Sequence, residues 1–223
     1  MICGKMQECL EGVATIEDVD AETFTRVCEY MYTGDYNAAE HAVFLNRDAE
    51  KEDLGDKMFH KAKHMAYTAN FTSPRGPSAY ARKAFENRVW ARESMKSNSI
   101  YRRNAGPSED YSEVFLSHAQ VYVFADKYDI SALRSLALHH LHKTLVSFTL
   151  YPEGVCNVAK LFRYVYHHTA ERDGKMDELR ALVIEYAACY IEDMVANEVF
   201  QEVLRAENSA SVDLIVMLLG RLK

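Results

Sequence analysis

The residues best suited to binding a metal are histidines in three short clusters. His60 and His64 lie four positions apart, which places both imidazoles on one face of a helix, a spacing that zinc ligands use. The zinc protease pattern requires a glutamate directly after the first histidine, and Lys61 stands there instead. Because the neighbouring lysines also disfavour a divalent cation, we interpret this segment as a solvated helix face.

The other two clusters are His139-His140-Leu141-His142 and His167-His168. Adjacent residues of a helix point about 100° apart, so the members of one cluster cannot close on one metal ion together. The sequence also has no glycine-rich phosphate-binding loop and no dinucleotide-binding fingerprint. We therefore predict neither a metal site nor a cofactor.

Catalysis needs a nucleophile or an acid–base pair, and the sequence indicates neither. No G-x-S-x-G motif occurs, and the five scattered cysteines have no nearby basic partner, so we interpret them as free thiols, mostly in the core. The carboxylates of Glu17, Asp18 and Asp20 directly precede a predicted helix, where negative charge stabilises the first turn. Capping is the simpler role for them. We predict no catalytic residues and a protein that is not an enzyme.

Residues 71–107 suggest a different chemistry, the binding of nucleic acid. They carry eight basic side chains against two acidic ones, with aromatic residues between the arginines, as on a surface that stacks bases. The candidate residues are Arg82, Lys83, Arg88, Trp90 and Arg92. The same spacing is typical of an amphipathic helix with a packing or solvated face, and we favour this alternative. The net charge of −7 agrees with it, because an acidic protein repels phosphate backbones.

The elements that must position these residues are mostly helices. A strand is predicted at 12–16 and a helix at 21–33, with Gly34 as its stop. Apolar periodicity predicts a helical hairpin over 113–148 and more helices over 153–223. The positions predicted to form core stripes are Leu116, Ala119 and Val123; Leu133, Leu136, Ala137 and Leu141; Val158, Leu161, Phe162 and Val165; Leu179, Leu182, Val183 and Tyr186; and Val212, Ile215, Val216 and Leu219.

A reversal of charge and proline–glycine punctuation divide the chain into four parts. Residues 1–36 have eight acidic and two basic side chains, a local charge of −6. Residues 37–112 are interpreted as a basic insertion, partly helical or disordered, followed by the hairpin at 113–148 and the C-terminal helical region at 153–223. The predicted fold class is mainly α, with helical hairpins and a bundle and at most one or two short strands.

Length and composition agree with a folded chain. The 223 residues are 48% apolar, which is typical of globular proteins rather than disordered ones. No apolar run approaches the length of about 18 residues that crossing a membrane requires, so we predict no membrane association. The N-terminus lacks the basic start and apolar run of a signal peptide, which favours the cytoplasm or the nucleus.

Two segments resemble BTB/POZ domains, particularly those of fungal proteins. Residues 4–36, in which an acidic turn precedes a helix that ends in Tyr32-Thr33-Gly34, are similar to the second half of the domain. Residues 116–141, with Ala125-Asp126-Lys127-Tyr128 at their centre, are similar to the helical pair that closes it. The resemblance implies the C-terminal half of the BTB/POZ α/β fold, followed by a helical tail.

The resemblance also implies a function in protein interaction. BTB domains bind other proteins, and many are substrate adaptors of cullin-type ubiquitin ligases, so protein partners, among them a cullin, are expected. The family uses a hydrophobic residue, any residue and a glutamate before the strand, and Met6-Gln7-Glu8 matches, which implies Met6 and Glu8 as protein-binding residues. A surface glutamate beside a core methionine is the alternative.

The part of the domain that precedes these segments in the family has no counterpart before Met1. We therefore interpret the chain as N-terminally truncated and do not expect it to inherit the family's homodimerisation. The alternative function is that of a nucleic-acid-associated or transcription-regulatory protein that uses residues 71–107.

Overall fold

Helices make up most of the structure. The computed structural model describes residues 19–43, 77–90, 101–171 and 174–220. Within them the helices are α1 (Ala21–Thr33), α2 (Pro77–Glu86), α3 (Ser112–Lys127), α4 (Ser131–Ser147), α5 (Val155–His168), α6 (Glu178–Cys189), α7 (Ile191–Val195), α8 (Glu198–Ala206) and α9 (Asn208–Gly220). The predicted fold class, mainly α with at most one or two short strands, is confirmed for these residues.

Two short strands lie near the ends of the predicted insertion. Strand β1 (Ala42–Val43) pairs antiparallel with β2 (Glu109–Asp110), with Ala42 opposite Asp110. Strands of this length form few ladder hydrogen bonds, so the packing of helices carries the fold. The strand predicted at 12–16 lies outside the described residues.

Helix α1 begins and ends at the predicted residues. The side chain of Asp20 accepts a hydrogen bond from the N–H of Thr23 at 2.8 Å, which satisfies one free donor of the first turn. Gly34 follows the helix with a φ of 78°, in the left-handed region that glycine adopts without steric cost. Its N–H donates to the carbonyl of Tyr30 at 2.8 Å. The inner face of α1 packs against α3.

Helices α3 and α4 form the predicted hairpin. The chain reverses at Asp129, whose φ of 53° is left-handed, and the N–H of Ile130 then donates to the carbonyl of Ala125 at 2.8 Å. The stripe predicted on α4, at Leu133, Leu136, Ala137 and Leu141, is buried.

The core side of α3 is wider than the stripe predicted for it. Ala119 is buried as expected, but Leu116 and Val123 are only half-buried, whereas Phe115 and Tyr122 are fully buried. The reason is that α3 contacts α1, α4 and α5 and is therefore covered from several sides.

Helices α5 and α6 complete the core. Their predicted stripes, Val158, Leu161, Phe162 and Val165 on α5 and Leu179, Leu182, Val183 and Tyr186 on α6, are all buried. Asp177 caps α6 by accepting from the N–H of Leu179 at 2.9 Å. The same carboxylate accepts from the hydroxyl of Tyr122 at 2.9 Å, which ties α6 to the hairpin.

The stripe predicted on α9 was wrong. Val212, Ile215, Val216 and Leu219 are 59%, 56%, 62% and 55% exposed. The buried side chains of α9 are Ala210 and Leu214, and Met217 and Leu218 pack partly against the core. Because α9 is apolar on nearly every side, its periodicity does not indicate which side faces inward. Within the described residues, no helix has both the length and the apolar run needed to cross a membrane.

Candidate functional site

Three buried histidines of the hairpin each receive an aromatic side chain from elsewhere in the chain. His118 lies on α3, and His140 and His142 lie on α4; they are 2%, 1% and 0% exposed. The aromatic partners of these three histidines are Tyr36, Tyr101 and Trp90, respectively. We call these six residues the histidine–aromatic cluster.

The tautomer of His118 follows from its partners. The hydroxyl of Thr144 donates to the carbonyl of His140 at 2.8 Å and therefore accepts from Nε2 of His118 at 3.3 Å. Nδ1 is then the acceptor, and the hydroxyl of Tyr36 donates to it at 2.9 Å. Burial lowers the pKa of His118 well below its usual value, and the charges of His140 and Arg26 act in the same direction. His118 is accordingly neutral.

His140 joins a phenol to a carboxylate. Its Nε2 lies 2.7 Å from Oδ1 of Asp35, and its Nδ1 lies 2.7 Å from the hydroxyl of Tyr101. Because a carboxylate only accepts, Nε2 donates to Asp35, and in the neutral ring Nδ1 then accepts from the hydroxyl of Tyr101. The contact holds the end of α1 and residue 101 on the same imidazole.

His142 repeats this arrangement with an indole. Nε1 of Trp90 donates to Nδ1 of His142 at 3.1 Å, and Nε2 of His142 donates to the carbonyl of Phe85 at 2.7 Å. Burial lowers the pKa of His142 to about 4, although the hydrogen bond to Phe85 opposes this change. Only the neutral imidazole of His142 can accept a hydrogen bond from Trp90. The neutral form of His142 therefore holds the segment around Trp90 against α4.

A cavity of about 150 Å³ lies beside His118 and His140. Its wall includes one cationic side chain, Arg102, which forms an ion pair with Glu109 at 2.6 Å. Burial opposes the ionisation of Glu109, but the N–H of Ala105 and the guanidinium of Arg102 outweigh burial and lower its pKa. The ion pair balances the charge of the wall.

The chemistry of the cluster favours positioning rather than proton transfer at neutral pH. Burial raises the pKa of Tyr36 well above its usual value, and the charges of Tyr101 and Asp35 add to the effect, so the phenolate does not form. In the part of the chain that the structure describes, no group of three or more His, Cys, Asp or Glu side chains could hold a metal ion. The cluster therefore fastens three distant segments to one hairpin.

The predicted nucleic-acid-binding residues lie in or just after α2, apart from Arg92, which is outside the described residues. Helix α2 packs against α6, and Lys83 is exposed. Arg82 donates to the carbonyl of Cys189 at 2.9 Å, and Arg88 lies 2.8 Å from the carboxylate of Glu185. Such contacts belong to the packing alternative, and nucleic-acid binding stays a prediction.

Several other residues singled out in the sequence lie outside the described ranges. They are Met6 and Glu8, the histidines His60 and His64, and the cysteines Cys3 and Cys9. Cys28, Cys156 and Cys189 remain thiols; Cys189 is buried, and the other two are half-buried.

Sequence reasoning missed the histidine–aromatic cluster. The signal was the occurrence of His139, His140 and His142 on an otherwise apolar helix, which indicates buried imidazoles that need partners. The partners themselves lie 82, 39 and 52 positions away from their histidines and have no local pattern.

Comparisons of the chain with models of known families, with curated proteins and with solved structures found no match. A functional proposal therefore depends on the residues and the geometry described above.

Proposed function

We propose that the protein is a non-enzymatic interaction module and acts as an adaptor that binds a cullin. The observation that carries the proposal is the outward side of α1, which exposes three large apolar side chains. Phe24 is 42%, Met31 73% and Tyr32 91% exposed. Aromatic residues and methionine are enriched at protein interfaces, where a few such side chains supply most of the binding free energy.

The inner side of α1 keeps this surface in place. Thr23 and Val27 are each 2% exposed, and the hydroxyl of Thr23 donates to the side chain of Gln120 on α3 at 3.4 Å. Just beyond α1, Tyr36 is fastened to His118. A helix held in this way presents its outward side chains in one arrangement, which reduces the ordering cost of binding.

The charges near this surface suit a polar rim. The side chain of Glu22 is 78% exposed and pairs at 3.2 Å with Arg26, whose own side chain is only 12% exposed, so Glu22 supplies the rim charge on α1. The BTB resemblance adds Met6 and Glu8, which precede α1 in the sequence, as a further anchor and an acceptor carboxylate. Apolar anchors within a polar rim are the usual anatomy of a specific interface.

The test is titration calorimetry of the full chain against the N-terminal region of a cullin. We expect Met31→Ala, Tyr32→Ala and Glu8→Ala each to weaken binding about tenfold, which corresponds to about 1.4 kcal/mol. Val89→Ala is the matched control, because Val89 is 81% exposed but lies after α2 rather than on α1.

Two results would overturn the adaptor proposal. One is the absence of saturable binding by the folded wild-type chain. The other is binding that all three substitutions leave as tight as the control does.

A further inference from the structure

Residues 77–90 attach to the rest of the molecule through a small set of specific contacts. We call this segment the arm. The surface that it covers is formed by Glu185, Tyr186, Cys189, Tyr190 and Asp193, from α6 to α7, and by His142 of α4, which accepts from Trp90 and donates to the carbonyl of Phe85. We call it the arm site.

Phe85 is the apolar anchor of the arm. It is 2% exposed, and its ring centroid lies 5.7 Å from that of Tyr186 and 4.8 Å from that of His142. A buried aromatic side chain in a pocket of rings is the kind of contact that dominates the binding energy of docked helices.

Arginines on both sides of the anchor meet acidic residues of the arm site. The guanidinium of Arg82 lies 4.3 Å from the centroid of the Tyr190 ring, and one of its nitrogens lies 3.6 Å from the carboxylate of Asp193. Arg88 lies 2.8 Å from the carboxylate of Glu185. Arg82 precedes Arg88 in the sequence, but its partner Asp193 follows Glu185. The arm therefore runs antiparallel to α6, and the two ion pairs fix this direction.

The ionic contacts are partly open to solvent. The side chain of Arg88 is 37% exposed and that of Glu185 is 33% exposed. Ion pairs with this exposure contribute direction and specificity but are weakened by salt.

The covalent connections of the arm are long. Thirty-three residues separate Val43 from Pro77, and ten residues separate Trp90 from Tyr101. Ten residues span about 33–36 Å when fully extended. Exchange of the arm therefore requires a second copy whose arm site lies within this reach of Tyr101.

We propose that the arm site is a docking surface which binds the arm of its own chain and, in exchange, the arm of a second copy. The second copy is the partner that the charges select, because it carries the same two arginines around the same anchor. Reciprocal exchange satisfies both arm sites of a twofold dimer. The arm site is separate from the outward side of α1, so this proposal does not depend on cullin binding.

In dilute solution the dominant form is the closed form, in which each arm binds the arm site of its own chain. A tethered segment acts at an effective concentration of about millimolar, so its own arm outcompetes that of a second copy until binding within one chain is blocked. The experiment must therefore disable the closed form without removing either surface.

Two full-length variants do this. The arm variant carries Arg82→Glu and Arg88→Glu, and the site variant carries Glu185→Arg and Asp193→Arg. In each variant alone the arm and the arm site have like charges and repel. When the two are mixed, each arm finds a site of opposite charge in the other chain.

Native mass spectrometry of the equimolar mixture should show a one-to-one complex that is absent from either variant alone, and raising the salt concentration should dissociate it. The control is one chain with all four substitutions, which restores opposite charges within the chain and should stay monomeric. If both variants are folded by circular dichroism and form no complex when mixed, the arm is a permanent part of the core and the proposal is overturned.

A second measurement serves if a variant fails to fold. Hydrogen exchange of the wild-type chain should show amide exchange in the arm at least about tenfold faster than in α3 and α4, because a docked segment opens without global unfolding. Equal protection of the arm and the hairpin would overturn the proposal.

Discussion

The hydroxyl of Tyr36 donates a hydrogen bond to Nδ1 of His118 at 2.9 Å, across 82 positions of the sequence. Both residues are 2% exposed, so the bond is shielded from bulk solvent. The bond fastens the chain just after α1 to the middle of α3. The outward side of α1, where we propose that a partner binds, is thus supported by a polar contact just beyond the end of the helix.

Replacing Tyr36 with Phe should lower the free energy of unfolding by about 1–3 kcal/mol, because Nδ1 of His118 would stay buried without a donor. Urea unfolding of the full chain measures this. Tyr32→Phe is the control: Tyr32 is 91% exposed, and its loss of a hydroxyl should change the free energy by less than about 0.5 kcal/mol. Equal effects of the two substitutions would mean that the buried hydrogen bond contributes nothing.

Stability should fall in acid because of two buried histidines. Burial places the folded-state pKa of His118 and His142 below the ordinary value of 6.5, and to about 4 for His142. Below pH 6.5 the unfolded chain binds protons at both residues while the folded chain does not. The free energy of unfolding should therefore be unaffected above that pH and decrease below it, by up to about 1.4 kcal/mol per pH unit for each histidine.

Urea unfolding between pH 7 and pH 5 tests this dependence. His142→Gln removes one titrating group and should make the decrease less steep. Val158→Ala, a substitution at a position that is 0% exposed, should lower stability by a similar amount at every pH and leave the slope unchanged. An identical slope for wild type and His142→Gln would contradict the assignment of a neutral His142.

The orientation of α9 can be tested with one type of substitution at two positions. Leu214 is 4% exposed, whereas Leu219 is 55% exposed. Leu214→Ala should cost about 2–5 kcal/mol, since it opens a cavity, and Leu219→Ala should cost less than about 1 kcal/mol. Thermal unfolding compares the two directly. A larger loss at Leu219 would mean that the core stripe expected from the sequence, and not the observed one, faces inward.

We expect the arm to bind single-stranded RNA weakly if at all, because Arg82 and Arg88 already face Asp193 and Glu185. A fluorescence anisotropy titration of a short labelled RNA at several salt concentrations measures this. Tight binding with a steep dependence on salt, made less steep by Arg88→Ala, would contradict the packing role and favour the nucleic-acid function.

Local signals in the sequence predicted the elements well. Asp20, as the N-cap, and Gly34, as the stop signal, mark the two ends of a helix that the structure places at Ala21–Thr33. On α4, α5 and α6 the predicted stripes are buried, and on α4 and α6 most neighbouring positions are buried as well, so a stripe on almost any side of these two helices would face the core. Helix α9 is as apolar but buries only Ala210 and Leu214, and there the periodicity selected the wrong side.

Contacts between distant segments could not be predicted in the same way. His140 was recognised as one of a cluster, but its pairing with Asp35 and Tyr101 depends on how three segments meet in space. The arm was left open between a helix and disorder. Its helical part packs on α6 through Phe85, which agrees with the packing alternative, but no local pattern indicates which surface receives this side chain.

The most direct test of the proposed interaction function is hydrogen exchange of the full chain with and without a saturating cullin N-terminal region. We expect amide protection to increase over residues 19–36, which contain α1, while exchange in α3 and α4 stays the same. Protection confined to another part of the chain, or no change anywhere at concentrations that would saturate a micromolar complex, would contradict the assignment of α1 as the binding surface.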